Sequence, residues 1–172
     1  MNGVFAVNDI EFEISRNGRN VGGASFVTVS GMESFAISFD NGVEQWNPID
    51  ARGWARRLVT AKSMTVSLSG KRVFGCAGND FVAEAAYRSG GSLLTTLAVI
   101  FPNGDELRMD CVLNVTASGG GGASDIAVLE FDCLSDGRPV YTRANGQVVG
   151  FSAAAPMADE TVEVGGVVDV SN

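Results

Sequence analysis

The sequence predicts a mainly β protein, an antiparallel β-sandwich or open barrel with one flanking α-helix. Three observations lead there. Apolar and polar residues alternate with period two through four separate stretches, the mark of strands with one buried and one wet face. One helical stretch stands out, and glycine-containing turns separate the runs.

In chain order, Val4 to Ile14 and the segment from Ala24 to Val29 read as strands. Phe35, Ile37 and Phe39 alternate with Ser34, Ala36, Ser38 and Asp40, and Met64, Val66 and Leu68 alternate with Ser63, Thr65, Ser67 and Ser69. Between them "NGVEQWNPIDARGWARRLVTAK", Asn41 to Lys62, is far longer than a hairpin needs, and long insertions in compact domains commonly carry function. It holds Trp46 and Trp54 with Arg52, Arg56 and Arg57, residue types that dominate interface hot spots. The part from about Asp50 to Val59 has the makings of a short helix, and the tryptophans have an alternative role in capping the chain's own core.

"GNDFVAEAAYRSGG" predicts a helix over about 79–89. Asn79 or Asp80 serves as N-cap, Phe81, Val82, Ala85 and Ala86 form the apolar stripe, and Gly90 and Gly91 stop it. Leu93 to Phe101 is apolar on both sides, so it reads as a strand covered on both faces. Asn103-Gly104 marks a hairpin. Then "LRMDCVLNVTASGGGGASDIAVLEFD" pairs two clean alternations across four glycines. That run leads into strand-patterned residues with no lysine nearby, so it reads as a hairpin connection and not a phosphate cradle. Residues 144–172 form a Gly/Ala-rich, acidic arm after a 1–143 domain, with a last extended run at Thr161 to Val170.

Composition narrows the function classes. Among 172 residues histidine is absent, which removes the commonest general base and zinc ligand. The net charge of −8 argues against a basic nucleic-acid binder, and half of it comes from Asp159, Glu160, Glu163 and Asp169, beyond the last Arg at 143. Cys76, Cys111 and Cys133 form no CxxC pair and read as small buried residues. No apolar run reaches the roughly 20 residues of a membrane helix, and the N-terminus does not read as a signal peptide. Asp105, Glu106, Asp110, Glu130 and Asp132 offer paired acids, but they lie on a wet strand face without an apolar pocket to raise one pKa. Calcium-loop and nucleophile-elbow patterns are missing, so no enzyme, metal or cofactor is expected.

What remains is a set of surfaces, and here a resemblance enters. "GMESFAISFD", "RLVTAKSMTVSLSGKRVFGCAGNDFV" and "GDELRMDCVLNV", followed by "GGGGASDIAVLEFDCLSDGRPVY", resemble the tail tube (major tail) proteins of long-tailed, non-contractile phages. The likeness runs from about Gly31 to Tyr141 and includes Ser69-Gly70-Lys71-Arg72, Gly78-Asn79-Asp80 and Asp136-Gly137-Arg138-Pro139. It implies hexameric rings stacked into a tube, with hairpins joining across subunits into an inner β-barrel that conducts DNA during ejection into the host. Ser34, Ser38, Asp40, Thr65, Ser67, Asp110, Asn114, Thr116, Glu130 and Asp132 would line the lumen. Trp46, Arg52, Trp54, Arg56 and Arg57 would meet the next ring, and Arg108, if it faces inward, would be neutralised by Glu130 or Asp132. The implied partners are further copies of the chain and tape-measure and terminator or tip proteins. The implied location is the virion tail, assembled in the host bacterial cytoplasm. The alternative from a different class is a monomeric carbohydrate-binding β-sandwich using Trp46 or Trp54 as a stacking platform.

Overall fold

A computed structural model describes residues 4–19 and 25–149. The strands are β1 (Glu11–Ser15), β2 (Phe26–Thr28), β3 (Met32–Trp46), β4 (Arg56–Lys71), β5 (Leu94–Ile100), β6 (Glu106–Ser118), β7 (Val128–Ser135), β8 (Val140–Thr142) and β9 (Val148–Val149), and the helix α1 is Ala77–Ala85. They form one antiparallel sheet in the order β2-β1-β5-β6-β7-β4-β3, with β8 beside the start of β6 and β9 beside β8. The sheet coils on itself without closing. Phe12 of β1 meets Phe35 of β3 edge-on at 5.2 Å between ring centroids, so strands far apart in the sheet share one core. Open barrel is the right description.

Alternation decides which face is buried. Val66, Leu97, Val99, Cys111, Leu129 and Phe131 are within 1% of full burial, in one cluster joined by Val82 and Ala85 from α1. Burying a Leu, Val or Phe contributes about 1.5–3 kcal/mol each, which fixes the register, because a one-residue slip would turn every such side chain to water. β5 is covered on both faces, with Thr95 and Ala98 as buried as Leu97. Cys111 and Cys133 are buried and unbonded, and Cys76 is half-buried. The neighbouring Cys111 thiol and burial hold the Cys133 thiol protonated well above its usual range, so it is unreactive.

Several elements depart from expectation. The first strand begins only at Glu11, after a 3-10 turn at Val7–Asp9. The helix starts at Ala77, two residues early, because Asn79 is inside it and not a cap. Asn79 is fully buried; its amide donates to the carbonyls of Ser30 and Lys71 at 2.9 Å each, and its Oδ1 accepts from Val73 N–H at 3.0 Å and from Arg72 at 2.9 Å. Asp80 turns back to accept from Gly75 N–H (3.0 Å), and its other oxygen meets Arg72 at 2.6 Å. Gly78 is required, since a Cβ there would sit 2.3 Å from Thr28 O.

The segment Asn41 to Lys62 is not a separate loop, and the short helix expected at Asp50 to Val59 does not form. β3 and β4 run on as a ladder, Asn41 opposite Lys62 and Trp46 opposite Arg56, interrupted by a bulge after Gly42. Only a 3-10 turn, Ile49–Ala51, caps the hairpin. Val43 and Val59, both β-formers, pair across the ladder and Leu58 pairs with Glu44, and this pairing outweighs the helical reading. At the other end, Arg143 N–H donates to Gln147 O (2.9 Å), so pairing continues past residue 143 as far as Val149. The expected extended run at Thr161 to Val170 lies outside the described residues.

Candidate assembly surface

The four strands β6, β7, β4 and β3 are neighbours, and their outer face collects the polar side chains that alternation singled out. Paired rows run across it: Ala36, Ser67, Asp132 and Asn114 form one, and Ser34, Ser69, Glu130 and Ala117 another. Ser38 and Thr65 start a third, which passes into Leu134 and Val112; this apolar break was hidden in the sequence by the surrounding polar positions. Asp40 lies opposite Ser63, and Asp110 opposite Thr96 on the same face. Thr116 is the extra residue of a bulge in β6. Its Oγ1 donates to Glu130 O at 3.2 Å, and it borders a shallow depression of about 420 Å³ with Ser34, Ser67, Glu130 and Asp132.

The carboxylates of this face are held by neutral donors. Ser67 Oγ donates to Asp132 Oδ1 at 2.6 Å and Asn114 Nδ2 to Asp132 Oδ2 at 3.3 Å. Ser69 Oγ donates to Glu130 at 3.0 Å, and Thr96 Oγ1 to Asp110 at 2.6 Å. These bonds fix the oxygens without cancelling their charge. Cations on the same face are answered by acids instead. Arg108 is on it, but its partner is Glu106 on its own strand (2.5 Å), not Glu130 or Asp132, and its guanidinium rests 5.3 Å from the Phe26 ring. Lys71, at the end of β4, faces Glu33 at 3.6 Å. The net effect is a wall of hydroxyls, amides and unneutralised carboxylates.

Asp105 is not set up as a general acid. Asp105 accepts from Tyr141 O–H (2.6 Å) and Ala144 N–H (2.9 Å), and those bonds hold its pKa below the usual carboxylate value, opposite to what proton donation at neutral pH needs. The glycine run shares a pocket with Lys71, which the sequence did not place near it, but the Asp125 carboxylate occupies that pocket and the N–H of Gly119 is spent on Val128 O at 2.8 Å. Gly119 to Gly121 have positive φ, and the N–H of Gly122 is already taken by the Asp125 carboxylate at 2.6 Å.

Two strand edges flank the polar face. Among the described residues β3 has no partner on its outer side, along Met32–Trp46. Among the described residues β5 pairs with β6 only as far as Val112, so Leu113 to Ser118 has no strand partner on the side away from β7. Unpaired edges of this kind invite another strand.

The distal hairpin is the other exposed feature. Trp46 faces Arg56 across the ladder, Arg57 faces Gln45, and Arg52 and Trp54 lie in the turn, Arg52 in the left-handed region at φ 48°. Trp54 is 78% exposed and Trp46 46%, so neither caps the chain's own core. Ile49 and Leu58, which sequence reasoning passed over, are also exposed and widen the apolar surface of the tip.

No protein-family model and no curated protein sequence matches this chain. Solved structures do. A chain in the tail of an empty gene transfer agent particle, refined with C6 symmetry, superposes with TM-score 0.63 at 17% identity, covering 81% of this chain and 99% of that one. A chain in the native gene transfer agent virion gives 0.61 at 17% identity over 81% and 99%. One in the sixfold-symmetrised anti-feeding prophage baseplate gives 0.55 at 8% identity over 84% and 99%. The fold defined here is therefore one used by chains of phage-like tail and baseplate particles. At these identities the likeness is one of fold.

Proposed function

We propose that the chain is a structural, non-enzymatic subunit of a phage tail tube, assembled in the host cytoplasm and carried in the virion tail. Copies join edge to edge into hexameric rings, the rings stack, and DNA passes through the bore. The observation that carries this reading is the polar four-strand face bounded by two open edges, β3 on one side and Leu113 to Ser118 of β6 on the other. Addition of one copy's β3 to the next copy's β6 makes a heterologous contact that closes by rotation and removes both edges. Six copies of these strands give a ring of about 24 strands spaced about 4.8 Å apart, about 37 Å across at the backbone before any tilt. That leaves room for a duplex past short side chains.

The wall chemistry supports passage. Adhesion to DNA comes from Lys and Arg displacing counterions, and on this face Asp110, Glu130 and Asp132 keep their charge while Arg108 and Lys71 are each held by an acid. The outstretched hairpin with Trp46, Arg52, Trp54, Arg56 and Arg57 is suited to reaching the adjacent ring, and its protruding position favours this over a sugar-binding module. Tape-measure and terminator or tip proteins are the expected further partners.

The test is negative-stain microscopy of the purified chain beside a variant whose residues 43–59 are replaced by Asn-Gly. Expected are hollow tubes from the native chain and folded protein without tubes from the variant. Tubes of normal length from the variant would remove the hairpin's role, and a native chain that stays monomeric under every assembly condition would overturn the proposal.

A further inference from the structure

Just beyond the end of β4 stands an exposed phenylalanine that is braced from behind. Phe74 is 80% exposed. The Arg72 guanidinium lies 4.3 Å from the centre of its ring, and it is held in turn by Oδ1 of the buried Asn79 at 2.9 Å and by Asp80 at 2.6 Å. Gly75, at φ 84°, then turns the chain towards α1. Arg72 N–H donates to Ala127 O at 2.9 Å, which carries the β4–β7 ladder past Lys71 and brings the exposed Ile126 to the same end. A side chain left in water needs no such bracing. One that meets a partner in a single geometry gains from it, because the entropy cost of ordering it on contact is already met.

At the other end of the barrel part of the same strand, an apolar groove of about 920 Å³ opens beside the base of the long hairpin. Ile37, Phe39, Met64, Leu107 and Tyr141 supply its apolar walls, and Phe39 is 67% exposed at the mouth. Lys62 and Arg138 make its rim positive, and no acidic residue lines it. From Met64 to Lys71 the strand covers about 23 Å at about 3.3 Å per residue, so Phe74 does not reach the groove of its own chain.

We infer that Phe74 of one copy seats in this groove of a second copy, displaced along the strand direction. Knob and groove are different surfaces at opposite ends, so the contact is heterologous, and repetition along the strands gives an open stack instead of a closed ring. Copies joined side by side through β3 and β6 lie across the strands and bring neither end to the other. Charge agrees with this occupant. Asp125, next to Ile126 at the Phe74 end, is bonded to the neutral Gly122 N–H and keeps its charge, and it approaches the Lys62 and Arg138 rim. The direction of stacking rests on the tube reading above, whereas the pairing of Phe74 with the groove is tested apart from it.

The test places p-benzoylphenylalanine at position 74 of the full chain, which keeps an aromatic knob, and mixes this protein with heavy-isotope-labelled chain carrying native Phe74. Irradiation is followed by peptide mapping. Expected are crosslinks between the two kinds of chain, from position 74 to Phe39, Met64 or Tyr141, with a yield about tenfold lower when the labelled chain carries Phe39→Asp. Circular dichroism confirms that each variant is folded. Crosslinks only to other surfaces, none between chains, or an undiminished yield with Phe39→Asp would each overturn the inference, whether or not tubes form. Crosslinks at the groove from a chain that forms no tubes in the microscope would keep this contact and remove the tube reading.

Discussion

Reversing the charge at Asp132 tests the proposed bore directly. In Asp132→Lys the acceptor of Ser67 and Asn114 is lost. Hydrogen bonds to charged groups are worth about 1.5–3 kcal/mol each. The bond at 2.6 Å carries most of that and the one at 3.3 Å little, so a half-buried site should lose about 2 kcal/mol. Asp132→Asn keeps an acceptor oxygen and should lose about half as much. The functional effect is larger. In the proposed hexameric ring the substitution adds about six inward ammonium groups, and at a slope of about −0.9 per phosphate contact the ring's affinity for duplex DNA should fall about 10³-fold between about 50 and 200 mM salt. Native tubes should retain no DNA under the same conditions. The assay is retention of labelled duplex by sedimented tubes across a salt series, after microscopy confirms assembly. Asn114→Lys, the next residue in the same row, carries the same test if Asp132→Lys does not assemble. Assembled tubes of either variant that hold no DNA at low salt would refute the placement of this face in the bore.

Two further outcomes follow from the fold. Asn79→Ala should cost about 3 kcal/mol or more in denaturant unfolding, because it strands the carbonyls of Ser30 and Lys71 and the N–H of Val73 at a buried site; a loss under about 1 kcal/mol would mean that water replaces the amide. The Tyr141 hydroxyl, pushed up from 10.0 to about 12 by burial and then by its bond to Asp105, favours the folded state below pH 10 and loses that contribution as pH rises towards 12. Its partner Asp105, held below its usual value, contributes above the ordinary carboxylate range and is lost as pH falls through its lowered pKa. Unfolding midpoints of the native chain and Tyr141→Phe should therefore converge at both extremes of pH and differ most between them.

Period-two alternation was enough to place the strands that form the polar face and to say which side of each is wet. Ser34, Ser38, Thr65, Ser67, Asn114, Glu130 and Asp132 stand where that pattern put them, because alternation is a property of the backbone and needs no knowledge of neighbours. The long hairpin was harder to see. Its distal half is exposed on both sides, so burial writes no period into it, and only the cross-strand ladder shows that Asn41 to Trp46 and Arg56 to Lys62 are strand. Asn79 read as a cap because its residue type favours caps; which carbonyls lie within its reach depends on where Ser30 and Lys71 arrive from distant parts of the chain.

The sequence by itself determined that this is an antiparallel β protein with one helix, a wet acidic face and no catalytic histidine, since composition and periodicity are local facts. Only the tertiary structure decided that the two wet hairpins are adjacent in one sheet, that Arg108 is answered by Glu106, and that among the described residues an edge without a strand partner lies on each side of the face. Strand order and edges come from contacts between residues far apart in sequence, and no local pattern records them.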